Sequence, residues 1–212
     1  NEENQTQSGD TTTGNEENKN QPSDSSAPES QFTYTSANND EGTPNESTTV
    51  LKTAADNFTK NVIRIINNLM NDKTSGKDNT LNVTLDNVNI NASKSNNAAL
   101  SVEGAGNTTI TLSGSNTLTS GNQCAGLEHN GKNYNGSSDT GKLTITSKKD
   151  EAGKDTGSLT ATGGGGSAGI GSGWFGTYYG AGTIEITGGD IKATGGNNAA
   201  GIGSGLEATS DT

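Results

Sequence analysis

Residues 158–173 read SLTATGGGGSAGIGSG, and residues 190–205 read DIKATGGNNAAGIGSG. Ten of the fifteen positions from Leu159 to Gly173 recur at a displacement of 32 residues, which makes this an internal repeat. Leu127 in CAGL aligns with Ile170 and Ile202, and Leu100 in AALSV aligns with all three, at intervals of 27, 43 and 32 residues. Inside the units the spacing is tighter. Leu118 to Leu127, Ala161 to Ile170 and Ala193 to Ile202 are each nine residues apart, and Ile90 to Leu100 is ten. One turn is kept while insertions fall at other corners.

Each unit opens with a short alternating stretch: Val83 and Leu85, Ile110 and Leu112, Leu143 and Ile145, then Ile184 and Ile186. Their apolar members share one side under the two-residue period of a strand. Four coils of about three short strands, with Gly-rich corners and no helical pattern between them, predict an all-β chain. The simplest form is a right-handed parallel β-helix (solenoid) over about 81–205. Stacking at about 4.8 Å per rung lets one apolar residue per position build a continuous core. Leu100, Leu127, Ile170 and Ile202 are expected to form one internal column.

Gly163, Gly164, Gly195 and Gly196 fall where a sharp turn would require positive φ. No GKS or GKT follows GGGGSAGIGSG and no helix pattern opens after it, so these glycines are structural rather than phosphate-binding. Thr119, Thr162 and Thr194 share a repeat position and predict a hydroxyl ladder; Asn122, Asn197 and Asn198 lie in equivalent turns and predict an amide ladder. Cys124, Ser167 and Ala199 are equivalent, with Asn97 in the first coil, so Cys124 reads as a space-filling residue. His129, the one histidine, has no orientation defined by the repeat and no nucleophile elbow near it.

Composition agrees with a thin, repetitive core. The chain of 212 residues has 31 Gly, 31 Thr and 28 Asn, and only 25% apolar residues. A net charge of −11 with 13 Lys and Arg argues against nucleic acid or anionic membranes, and no apolar run is long enough to span a bilayer. Residues 1–48 hold ten acids and one Lys, and read as a disordered acidic arm, a tether or a plain flexible end. In 50–71, Leu51, Ala55, Phe58, Val62, Ile65, Ile66 and Leu69 recur at three- and four-residue spacing. That predicts an amphipathic helix capping the first rung of the solenoid domain, 81–212. One cysteine excludes an intrachain disulfide. A start at Asn1 without Met, and an end at Thr212 in mid-pattern, are expected of a fragment or processed form.

Two places carry candidate ligand chemistry. Trp174, Phe175, Tyr178 and Tyr179 cluster in WFGTYY directly after the third AGIGSG turn, and the insertion at 131–140 brings Tyr134 to the same corner one coil earlier. Flat aromatic faces stack on the C–H faces of sugars, so these five residues are the candidate carbohydrate site; packing of Trp174 and Phe175 against the solenoid side is the alternative. Asp86 and Asp190 lie at the corner after the first strand, and Asp150, Glu151 and Asp155 lie in an insertion at that corner. With turn carbonyls, these five acids are candidate calcium ligands, although no nine-residue acidic repeat is present.

The residues TITLSGSNTLTSGNQCAGLEHNG, GKLTIT, GSLTATGGGGSAGIGSG and GTIEITGGDIKATGGNNAAGIGSG resemble the secreted carbohydrate-binding-domain β-helix proteins of anaerobic bacteria and the related AGIG-repeat surface proteins. The resemblance covers about 81–205. It implies a right-handed parallel β-helix, secretion or display at the bacterial cell surface, and polysaccharide binding, linked to calcium in some members. A lyase would need a basic proton abstractor, a glycosidase paired carboxylates on one face. Arg64 is the only arginine and no acid pair recurs on the core strands, so the expectation is a non-catalytic, monomeric polysaccharide-binding protein. A structural stalk or adhesin repeat is the alternative, with a polysaccharide lyase or hydrolase behind both.

Overall fold

The computed structural model describes residues 31–35, 49–52, 61–68, 80–132, 139–174 and 180–206. The chain enters through β1 (Gln31–Thr35), β2 (Thr49–Lys52) and β3 (Val62–Ile66). β4 (Leu81–Asp86), β5 (Asn89–Asn91) and β6 (Leu100–Glu103) then make the first complete coil, and β7 (Thr108–Ser113), β8 (Ser115–Thr119) and β9 (Leu127–Glu128) the second. β10 (Leu143–Ser147), β11 (Ser158–Thr162) and β12 (Ile170–Gly171) form the third, and β13 (Ile184–Ile186), β14 (Asp190–Thr194) and β15 (Ile202–Gly203) the fourth.

Each coil contributes one strand to each of three parallel sheets, ordered β1-β3-β6-β9-β12-β15, β2-β4-β7-β10-β13 and β5-β8-β11-β14. All of the paired strands are parallel, the arrangement of a parallel β-solenoid. The predicted column is present: Leu100, Leu127, Ile170 and Ile202 lie in register, with Ile63 beneath Leu100. A second column runs Ile90, Leu118, Ala161, Ala193, and a third Val83, Ile110, Ile145, Ile186. Ile90, Leu100, Ile110, Leu118, Leu127, Ile145 and Ile170 are fully buried, so the core is a stack of single residues rather than a globular interior.

Several expectations are corrected. No helix forms over the described parts of 50–71. Val50–Lys52 belong to β2, where Leu51 lies in register with Leu85, and Val62–Ile66 are β3, where Ile65 is buried beneath Val102. The run VIRII is rich in β-branched residues, which fit a pleated, half-buried surface better than a helix. The solenoid therefore begins before residue 81; residues 53–60 and 69–71 lie outside the described residues. Within the acidic arm, Gln31–Thr35 is a strand pairing with β3 rather than a disordered segment, while the rest of 1–48 lies outside the described residues. In the third coil the first strand aligns two residues earlier than the sequence pairs suggest. Leu143 pairs with Thr108 and Ile145 with Ile110, so Ser147 takes the place over Leu112.

The corners explain the glycines differently from the expectation. The turns 121–124, 164–167 and 196–199 are equivalent, each closed by a hydrogen bond from the fourth residue to the first carbonyl. Positive φ falls on their third residues, Gln123 (65°), Gly166 (73°) and Asn198 (59°), not on Gly163, Gly164, Gly195 or Gly196. Gly164 and Gly196 are required for another reason: a Cβ there would collide with the carbonyl oxygen of Gly121 or Gly164 in the turn one coil below. Turns stacked this closely leave no room for a side chain. The Thr119, Thr162, Thr194 column is in register, but Gly165 separates Asn122 from Asn197, so no continuous amide ladder runs through the turns.

Candidate functional site

The corner between β9 and β10, and between β12 and β13, is where both aromatic insertions leave the solenoid. Their stems are tied together. The Gly131 amide donates to the Gly180 carbonyl at 3.0 Å, Asn130 bridges Ala181, and the Gly182 amide donates to the His129 carbonyl at 2.9 Å. Within the earlier insertion Lys132 bridges Asp139, and the Thr140 hydroxyl donates to the Asn130 carbonyl at 2.6 Å. The sequence expectation that the two insertions share a corner is met at these stems. Tyr134, Phe175, Tyr178 and Tyr179 lie outside the described residues.

Trp174 is described and half-buried. Its amide donates to the Gln123 carbonyl and to Ser167 Oγ, both at 3.0 Å, which fixes the root of the aromatic loop to two successive turns. The side chain starts beside Gly166, where a Cβ would come within 3.4 Å of Trp174 Cγ. The base of the indole is therefore close to the turn of its own coil.

Glu128 and Asn130 hold this corner and were not singled out in the sequence. Oε2 of Glu128 accepts the Ala125 amide at 3.0 Å and Oε1 accepts Nδ2 of Asn130 at 3.1 Å, while Oδ1 of Asn130 accepts the Gly173 amide at 3.3 Å. Burial pushes the Glu128 carboxyl above the usual carboxylate range, against those hydrogen bonds. The readable signal is that LEHN of the second coil stands where the later coils have IGSG. Gly173 leaves the space that the Glu128 side chain fills; a Cβ there would lie 2.6 Å from its Oε2.

His129 follows Glu128 and points into the core, contrary to the expectation that the repeat leaves it without an orientation. It is 2% exposed, with Nδ1 3.0 Å from the Val102 carbonyl, and Nε2 makes no hydrogen bond of good geometry. Burial lowers its pKa, against the pull of backbone groups at Val102, Gly141 and Thr183. Cys124 sits in the turn with Sγ 3.3 Å from the Asn96 carbonyl, and burial, aided by the Glu128 charge, pushes its thiol up to about 12. A thiol held protonated is a poor nucleophile.

The five acids do not gather. Asp86 accepts the Asn87 side-chain amide at 2.8 Å at the end of β4, and Asp190 is exposed at the start of β14. Asp150 accepts the Ala152 and Lys154 amides at 2.9 Å and so closes its own loop, with Glu151 exposed beside it. Asp155 pairs with Lys149 and accepts the Gly189 amide at 3.0 Å, contacts that hold its carboxyl below the usual range. Among the described residues no three His, Cys, Asp or Glu side chains converge on a point, and no helix is long and apolar enough to cross a membrane. No protein-family model, curated protein or solved structure matches the chain.

Proposed function

We propose that the protein is a non-catalytic, secreted or surface-displayed right-handed β-solenoid that binds polysaccharide at the corner carrying its aromatic insertions. The right hand is the one that parallel strand-to-strand crossovers adopt almost without exception. One observation carries the functional reading: two loops that together contain Tyr134, Trp174, Phe175, Tyr178 and Tyr179 rise from stems locked to each other by the Gly131–Gly180 hydrogen bond. A rigid base presenting several aromatic rings suits an extended sugar chain, because stacking on ring faces needs preorganised flat surfaces. Binding is favoured over turnover because both oxygens of Glu128 are engaged and His129 is sealed in the core.

A chain of net charge −11 repels an acidic polysaccharide unless a cation intervenes, so calcium enters as a bridge between protein and glycan. Titration calorimetry of wild type and Trp174→Ala against neutral and acidic polysaccharides, each with and without chelator, tests the reading. Direct stacking predicts a loss of roughly 1 to 3 kcal/mol in the Trp variant, comparable to removal of an aromatic platform from beneath a nucleic-acid base. Calcium bridging predicts loss of binding on chelation with little effect of the substitution. The contact of Trp174 with the Gly166 turn favours a second reading, a stalk or adhesin repeat in which the indole only packs. No heat with any glycan would leave that stalk, and new reducing ends during incubation would overturn the non-catalytic reading.

A further inference from the structure

The fourth coil is built for a cover that the described residues do not supply. Ile170 and Ile145 are fully buried because β15 and β13 lie over them, yet their in-register equivalents Ile202 and Ile186 are 48% and 39% exposed. Leu159 is likewise buried beneath Ile191, which itself is only partly buried. Backbone polarity follows the same pattern. The amides of Gly163, Ile170 and Ser172 donate to the carbonyls of Thr194, Gly201 and Gly203 in the coil above, and the corresponding amides of Gly195, Ile202 and Ser204 lie at the free edge.

Residue types at this edge carry independent information. A Cβ at Gly169 or Gly171 would strike backbone of the coil above, at Gly201 and Gly203 respectively, so the covering coil leaves no room for a side chain, and Gly171 needs glycine also for its φ of 135°. Gly201 and Gly203 are glycine for reasons within their own coil, since a Cβ at Gly201 would lie 2.9 Å from the Ala193 carbonyl oxygen and Gly203 has a φ of 126°. Isoleucines persist at positions 191 and 202 beside them. These isoleucines give the top coil the apolar pattern of a covered coil at a face that no described residue covers.

The geometry points to a docking surface formed by β13, β14 and β15, whose occupant is one further coil of this same repeat, laid on as three parallel strands. The interface it continues is already present between the third and fourth coils, and it states the chemistry of the partner. Apolar residues would face Ile186, Ile191, Ala193 and Ile202, and a glycine would stand over Gly196, because any Cβ there would strike the Gly196 carbonyl as one at Gly196 would strike that of Gly164. Main-chain pairing supplies affinity and the alternate inward positions supply selectivity, as in other strand additions.

The probe is a synthetic peptide with the sequence of residues 181–205, added to the full chain and followed by amide hydrogen exchange. Exchange at Gly195, Ile202 and Ser204 should slow by about tenfold or more at saturation, and a peptide carrying valine at its position equivalent to Gly196 should lose the effect. A companion chain in which residues 174–205 are duplicated after Gly205 removes the cost of association, and should melt higher than the parent with the Ile202 amide protected. Unchanged exchange and unchanged melting in the duplicated chain would overturn the proposal, as would equal protection by the valine peptide. Protection of the same amides without peptide, at concentrations where sedimentation shows a dimer, would replace the repeat segment by a second copy and overturn it too.

Discussion

Ile202 lies directly over Ile170 in parallel register, and the two identical side chains differ in that Ile170 is sealed while Ile202 is 48% exposed. Burial in this molecule is thus conferred by the next coil rather than by a surrounding interior. A mutational pair follows from the difference. Ile170→Ala should cost about 2 to 5 kcal/mol, since it leaves a cavity between two tightly spaced rungs, and Ile202→Ala should cost well under half of that. Urea denaturation of both variants decides; equal losses would show that the fourth coil is covered in solution.

Turn stacking gives a second pair. Gly164 and Gly165 are adjacent in the same turn, but a Cβ on Gly164 collides with the Gly121 carbonyl, whereas one on Gly165 meets only the flexible end of Asn122 at 3.1 Å. Gly164→Ala is expected to destabilise by about 1 to 3 kcal/mol through overpacking. Gly165→Ala should change stability by roughly 0.5 kcal/mol or less, because lost freedom of the unfolded chain offsets the contact. A thermal melt of each variant separates backbone approach from turn flexibility as the reason for glycine here.

The repeat was legible because the nine-residue step from Leu118 to Leu127, Ala161 to Ile170 and Ala193 to Ile202 spans a turn of constant length in the last three coils, so the internal column could be aligned directly. The first rungs were misread because Val62, Ile65 and Ile66 satisfy a helical spacing as well as a strand; only their β-branched character distinguishes the two. Gln31–Thr35 was hidden by its acidic, polar surroundings, although QFTYT alternates like a strand. At the candidate site the shared corner was visible from the insertion positions. Glu128 and His129 were not, because their roles depend on which neighbours carry glycine, a property of stacked coils rather than of either residue.

His129 makes stability depend on pH. Burial lowers its pKa below the unfolded value of about 6.5, so the unfolded chain binds the proton more tightly than the folded one. Its contribution is therefore complete above about pH 6.5 and is lost progressively as the pH falls from there through the folded pKa. Glu128 moves the other way: its raised pKa means that protonation favours the fold, which partly offsets the loss on acidification. Asp155, held low by Lys149 and the Gly189 amide, adds to the acid loss only below the ordinary carboxylate range. Melting midpoints measured from pH 8 to pH 5 should fall for wild type and flatten for His129→Leu. Parallel curves would remove His129 as the cause.

Asn116 is the polar residue inside the β8–β11–β14 sheet, and it ties three coils at one point. Its Oδ1 accepts the Val88 amide from the first coil at 2.8 Å, and its Nδ2 donates to the Ser113 carbonyl at 3.2 Å and to the Ser158 carbonyl of the third coil at 3.1 Å. Leu159 and Ile191 occupy the same column above it, so an apolar residue fits the position by size. Asn116→Leu tests whether packing or hydrogen bonding matters more. The added apolar burial is small, whereas the Val88 amide is left buried without its acceptor at a cost of about 1 to 3 kcal/mol. Net destabilisation of that order is expected, together with faster hydrogen exchange at the Val88 amide. A variant as stable as wild type, with Val88 still protected, would show that water or a relaxed backbone takes over the role of the asparagine.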